Sequence, residues 1–142
     1  MDRGLVASAS VVIHASQGKV WDALLDPGAI QQYMFGAQVV SDWQEGSPIV
    51  WKGVWQGNPY EDKGVILQRK PERILQYSHF SPLSGFPDRP ENYHTVTIEL
   101  SEEGDQTRVS LAQDNNSGEE ERDHSKMNWE MMLTALKIYL EE

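Results

Sequence analysis

Apolar side chains recur along this chain first at every second position, then at every third or fourth, and then at every second again, and that rhythm predicts the order of its elements. From Leu5 to His14 small and apolar residues alternate and end in Val11, Val12 and Ile13, which reads as a strand. Ala15-Ser16 offers an N-cap, and Val20, Trp21, Leu24 and Leu25 recur at helical spacing, so a short helix is expected over Gln17–Leu25. Asp26 is placed to cap a second short helix beginning at Pro27, a residue suited to the first helical position, and running through Gln32 to end near Gly36. The period then returns to two. Strands are expected over Ala37–Trp43, Pro48–Gln56, Tyr60–Arg69 and Arg73–Phe80, separated by turns at Glu45-Gly46-Ser47, Gly57-Asn58-Pro59 and Lys70-Pro71-Glu72. After a long loop over Ser81–Asn92, the strands Tyr93–Ser101 and Thr107–Asp114 form a hairpin, with Val96, Ile98, Leu100, Val109 and Leu111 turned inward. Ser117 is placed to cap a last helix whose first turn carries Glu119, Glu120 and Glu121, carboxylates that complement the helix dipole. Trp129, Met132, Leu133, Leu136, Tyr139 and Leu140 give that helix a broad apolar face.

Successive hairpins exclude a doubly wound parallel sheet, whose strands need crossover helices. A single long helix must bury its broad face, and the simplest place is the concave side of a twisted antiparallel sheet. With no internal repeat or linker, the 142 residues read as one α+β domain.

Composition narrows the chemistry. The chain has no cysteine, which removes disulfides, thiolate metal sites and cysteine nucleophiles. Its 22 acidic and 12 basic residues leave a net charge of -10, a field that repels phosphate backbones and anionic membranes, so nucleic-acid binding is not expected. No secretory leader and no membrane-spanning run is visible, so a soluble, cytoplasmic protein without membrane insertion is expected.

Several segments together resemble a known family. They are Val20-Trp21-Asp22-Ala23-Leu24-Leu25-Asp26-Pro27; Trp51-Lys52-Gly53 with Gly64-Val65-Ile66 and Pro71-Glu72-Arg73-Ile74-Leu75-Gln76-Tyr77; Val96-Thr97-Ile98-Glu99-Leu100 with Gly104 and Thr107-Arg108-Val109; and Trp129-Glu130-Met131-Met132-Leu133 with Tyr139-Leu140-Glu141. In order and spacing they are similar to the START-like (SRPBCC) superfamily, and within it to homologues of the C-terminal domain of the heat-shock-protein-90 ATPase activator. The resemblance implies a helix-grip fold: a curved antiparallel sheet of six or seven strands, two short helices, and one long C-terminal helix on the concave face, with a cavity between sheet and helix. Members include lipid carriers, hormone receptors, polyketide cyclases and co-chaperones, so the fold does not fix the function.

The candidate ligand-binding residues are Trp51, Trp55, Tyr77, His79, Phe86, Tyr93, Trp129 and Met132. Trp51 and Trp55 share one face of a strand, Tyr77 and His79 share a face two strands later, and Trp129 opens the apolar face of the last helix. An apolar lining with a few polar tips is how small-molecule sites are built. Plain core packing accounts for any one of these aromatics equally well. Met127, Met131 and Met132 add flexible thioethers, and Leu83, Phe86 and Tyr93 place apolar groups in or beside the long loop, expected to gate the cavity mouth. The four histidines show no metal-ligand spacing, so neither metal nor cofactor is expected. Glu61, Asp62, Glu99 and Asp114 lie in or near strands, yet their spacing brings no two of them together, and no nucleophile elbow or phosphate loop is present.

Three functions follow. The first is a binding protein, monomer or homodimer, whose hydrophobic cavity takes a small apolar or amphipathic molecule. The second is a cyclase- or hydrolase-like enzyme with His79 as acid or base, which requires a second polar group facing His79. The third is a chaperone-linked or stress-response interaction module.

Overall fold

The computed structural model describes residues 4–141, with the side chain of Trp55 outside the described part. Seven strands form one antiparallel sheet in the order β1-β7-β6-β5-β4-β3-β2. They are β1 (Leu5–Ile13), β2 (Gln38–Val40), β3 (Pro48–Trp55), β4 (Asn58–Lys70), β5 (Ile74–His79), β6 (His94–Glu103) and β7 (Gln106–Asn116). The helices are α1 (Gln17–Leu25), α2 (Pro27–Tyr33) and α3 (Glu119–Glu141). Strands β2 to β7 are a continuous meander. Strand β1 pairs with β7 instead, so α1 and α2 carry the chain from one sheet edge to the other.

Local chemistry sets the first two helices as the sequence indicates. Ser16 accepts the Lys19 N–H, and the Asp26 carboxylate accepts the Gly28 N–H at the start of α2. Helix α2 ends where Phe35 and Gly36 take positive φ, 56° and 90°. Helix α3 begins at Glu119, and the Glu121 side chain reaches back to accept the Ser117 backbone N–H at 2.8 Å, so Ser117 lies outside the first turn.

The structure revises two boundaries and adds detail to the long loop. The strand expected over Ala37–Trp43 is only Gln38–Val40, because Ser41 Oγ donates to the Pro48 carbonyl and accepts the Trp43 N–H, and Trp43 takes φ 63°. Side-chain bonds here replace the ladder. The turn expected at Gly57-Asn58-Pro59 is tighter: Trp55 pairs with Asn58 across Gln56-Gly57, whose φ values of 50° and 82° match the twist of a two-residue hairpin. The long loop holds two single turns of 3₁₀ helix, Pro82–Ser84 and Pro90–Asn92.

One face of the sheet carries the core. Ile49, Trp51, Ile66, Leu75, Tyr77, Val96, Ile98, Leu100, Val109 and Leu111 are all buried on it, and Met132, Leu133 and Leu136 of α3 join them. Helix α3 lies against β1, β7 and α2. Leu136 is wholly buried, and losing such a side chain costs about 2–5 kcal/mol.

Polar stitches fix the helix in that place. A bulge in β7 at Asp114-Asn115, opposite Val6 of β1 and with Asn115 at φ 56°, breaks the alternation so that Gln113 and Asn116 both turn inward. Asn116 donates to the carbonyls of Leu5 and Gln113. At the far end, Lys137 donates to the Val12 carbonyl and Glu141 accepts the His14 N–H.

Gly64 is dictated by close approach: a Cβ there would stand 1.7 Å from the Ser78 carbonyl oxygen of β5. Gly64→Ala should therefore force β4 and β5 apart and cost about 1–3 kcal/mol, the usual penalty of overpacking, read from chemical denaturation.

Candidate functional site

A cavity of about 660 Å³ opens between the N-terminal half of α3 and the inner face of β3 to β7. The sheet contributes Trp51 from β3, Tyr60 and Asp62 from β4, Tyr77 and His79 from β5, His94 from β6 and Gln113 from β7. Helix α3 contributes Glu121, His124, Ser125 and Asn128, followed by Trp129, Met131 and Met132. Met34, Phe35 and Ala37, after α2, close one side, and Ser81, Leu83, Ser84, Phe86 and Asn92 of the long loop form the rim.

The inner wall is aromatic. The Trp51 ring packs against Tyr77 at 5.0 Å between centroids, tilted by 48°, and against His79 at 5.1 Å, edge on. These contacts cross β4, where Gly64 leaves no side chain on that face. Burial pushes the Tyr77 hydroxyl well above the ordinary phenol range, so it stays protonated. Tyr33, whose hydroxyl donates to the Ala23 carbonyl at 3.0 Å, is raised for the same reason.

The opposite wall is held by hydrogen bonds already used internally. Trp129 Nε1–H donates to Gln113 Oε1 at 2.7 Å, and Gln113 Nε2 donates to Asn116 Oδ1 and Ser125 Oγ, both at 3.2 Å. Gln113 thus fixes the indole of α3 against β7.

The polar pole is different. His79 Nε2 and Asp62 Oδ2 are 2.9 Å apart, and since a carboxylate only accepts, His79 carries its proton on Nε2. The remaining atoms of the pair, His79 Nδ1 and Asp62 Oδ1, are buried with no hydrogen-bond partner. His94 stacks near His79 with centroids 6.5 Å apart. Its Nδ1–H donates to the Asp114 carbonyl at 2.8 Å, and its Nε2 is 3.8 Å from Glu121 Oε1. Among the described residues, no group of three or more His, Asp or Glu side chains is arranged to hold a metal ion.

Six of the eight candidates from the sequence, Trp51, Tyr77, His79, Phe86, Trp129 and Met132, come together on the cavity wall. Tyr93 lies behind the rim: its ring stacks on Phe80 at 5.1 Å and its hydroxyl donates to Asp88 at 2.6 Å. There it anchors the loop, together with the Lys63–Asp88 ion pair and with Asn115 Nδ2, which donates to the Glu91 and Tyr93 carbonyls. Trp55 belongs to β3, but its side chain falls outside the described residues. The sequence reading missed Asp62, His94 and Glu121. A signal existed for Asp62, because the alternation Tyr60, Asp62, Gly64, Ile66 puts it on the buried face; its pairing with His79 depends on register across β4 and β5.

The family described as "Activator of Hsp90 ATPase homolog 1-like protein" matches residues 14–141. The chain belongs to this family. A Cytophaga hutchinsonii protein solved in solution is 57% identical, superposes with a TM-score of 0.85, and the match covers 99% of this chain and 97% of that one. CalU16 from Micromonospora echinospora is 25% identical with a TM-score of 0.72, over 96% of this chain and 84% of that one. An Aha1 dimer from Colwellia psychrerythraea is 19% identical with a TM-score of 0.75, over 96% of each chain, and shows the shared fold. No curated protein matches the chain. The helix-grip arrangement expected from the resemblance is thus the one observed, and among the described residues no helix is long and apolar enough to cross a membrane.

Because the folded protein holds Tyr77 and Tyr33 protonated above the ordinary phenol value of 10.0, their contribution to stability is unchanged below that pH and turns against folding as pH rises past it. Alkaline unfolding followed by circular dichroism should set in above about pH 10, and Tyr77→Phe should move it to higher pH.

Proposed function

We propose that this chain is a binding protein that holds a small apolar or amphipathic molecule between α3 and the inner sheet face. The carrying observation is the cavity itself. Its volume of about 660 Å³ falls within the range of small-molecule sites, and its aromatic walls end in a few convergent polar groups. The rim supports entry from solvent: Leu83, Phe86 and Met131 are all exposed apolar side chains at the mouth. In this reading the loop from Ser81 to Asn92 gates the mouth, hinged on its anchors at Lys63–Asp88 and Tyr93.

The neutral apolar dye N-phenyl-1-naphthylamine should bind with a rise in its fluorescence. In a two-dimensional NMR titration the indole N–H signals of Trp51 and Trp129, which line the cavity, should shift, while that of Trp21, packed in the α1 core, should not. Absence of binding, or shifts confined to the outer sheet face, would remove the binding role.

The Asp62–His79 pair supports a second reading, acid–base chemistry on the bound molecule, since it supplies the second polar group that such an enzyme needs beside His79. Under that reading His79→Gln should slow turnover by about 10²–10⁴-fold while ligand is still bound. A bound molecule recovered chemically unchanged after long incubation with the wild-type protein argues for simple binding.

A further inference from the structure

The polar pole of the cavity is rich in acceptors and carboxylates, and this restricts what can sit there. Three N–H donors on the cavity wall are already committed: His79 Nε2–H to Asp62, His94 Nδ1–H to the Asp114 carbonyl, and Trp129 Nε1–H to Gln113. Acceptor capacity remains beside them. It consists of the Asp62 and Glu121 carboxylates and of His94 Nε2, which faces Glu121 at 3.8 Å. In the neutral imidazole the second ring nitrogen is an acceptor, and a carboxylate accepts only. A ligand that brings donors to these groups gains charge-assisted hydrogen bonds.

Charge points the same way. The cavity wall carries two carboxylates, Asp62 and Glu121, and among the described residues no lysine or arginine lines it. The whole chain has a net charge of -10, which draws cations toward a cleft of this sign. Trp51, Tyr77 and Trp129 present π faces and edges on the walls, and a cation close to such faces is stabilised further. A carboxylate or phosphate head would instead stand beside the Asp62 and Glu121 carboxylates with no lysine or arginine to pair it.

We infer that the ligand is a molecule with an apolar body and a hydrogen-bond-donating cationic head, of the protonated-amine class, seated with its head beside the Asp62 and Glu121 carboxylates and His94, and that fatty acids and other carboxylates are rejected. This rests on the binding role proposed above and adds the class of molecule bound.

The test uses one body with three heads: 2-naphthylmethylammonium, 2-naphthol and 2-naphthoate, each competing at pH 7.5 with N-phenyl-1-naphthylamine on the full chain. The expected order is ammonium, then naphthol, then naphthoate, with at least a tenfold difference in Kd between the first and last. Asp62→Asn and Glu121→Gln, isosteres that remove one negative charge each, should shrink the ammonium-to-naphthoate ratio, with folding checked by circular dichroism. Naphthoate competing as well as ammonium against a dye that binds would overturn the inference and leave the binding role standing. Naphthol ahead of ammonium would keep the acceptor pole and overturn the cationic head. A folded Asp62→Asn protein with an unchanged ratio would overturn the seat at Asp62. A wild-type protein that fails to take up the dye overturns the binding role, and the inference falls with it. Should neither variant fold, the order of the three heads on the wild-type protein still decides.

Discussion

A seven-stranded sheet is wider than one helix. At about 4.8 Å between neighbours its strands span about 29 Å, whereas a helix with its side chains covers about 10–12 Å. The concave face must nevertheless be kept from water, because ten of its large side chains are apolar and buried. The chain meets this constraint by dividing the face. Helix α3 settles over β1 and β7, braced by α2, and its first half stands over the middle strands without filling the space below it. The cavity is what remains.

Keeping that space open requires the helix to hold its position. Hydrophobic contact is non-directional and would let α3 settle further into the gap. The buried amides resist this. Gln113 engages Trp129, Ser125 and Asn116, and Asn116 in turn engages the Leu5 carbonyl, so α3, β7 and β1 share one network. On the far side, Trp51 and Tyr77 brace each other over the gap left by Gly64 and form a stiff wall. The site therefore lies between two rigid supports, and the adaptable parts, the methionines and the loop rim, lie at its mouth.

The polar pole departs from the pairing seen in the helix network. The buried amides of the helix network are paired, yet two atoms of the Asp62–His79 pair are left without partners in the interior. Such groups oppose folding unless something else is gained. Both residues line the cavity, while the two unpaired atoms are closed off from its open space.

The sequence by itself determined the element order, the two short capped helices, the inward parity of β6 and β7 and the apolar stripe of α3. Each of these depends on neighbours within a few residues, where the periods of strand and helix operate. It also showed which aromatics face inward, and six of its eight candidates reach the cavity wall. Only the tertiary structure decided that Asp62 meets His79, 17 residues away, because that pairing is set by the register of β4 on β5. Only the tertiary structure turned Gln113 and Asn116 to the same side, through a bulge that no alternation reveals, and moved Tyr93 from the wall to the loop anchor. Periodicity says which face a side chain takes; register, bulges and the seating of a helix say whom it meets there, and these are fixed by contacts between residues far apart in the chain.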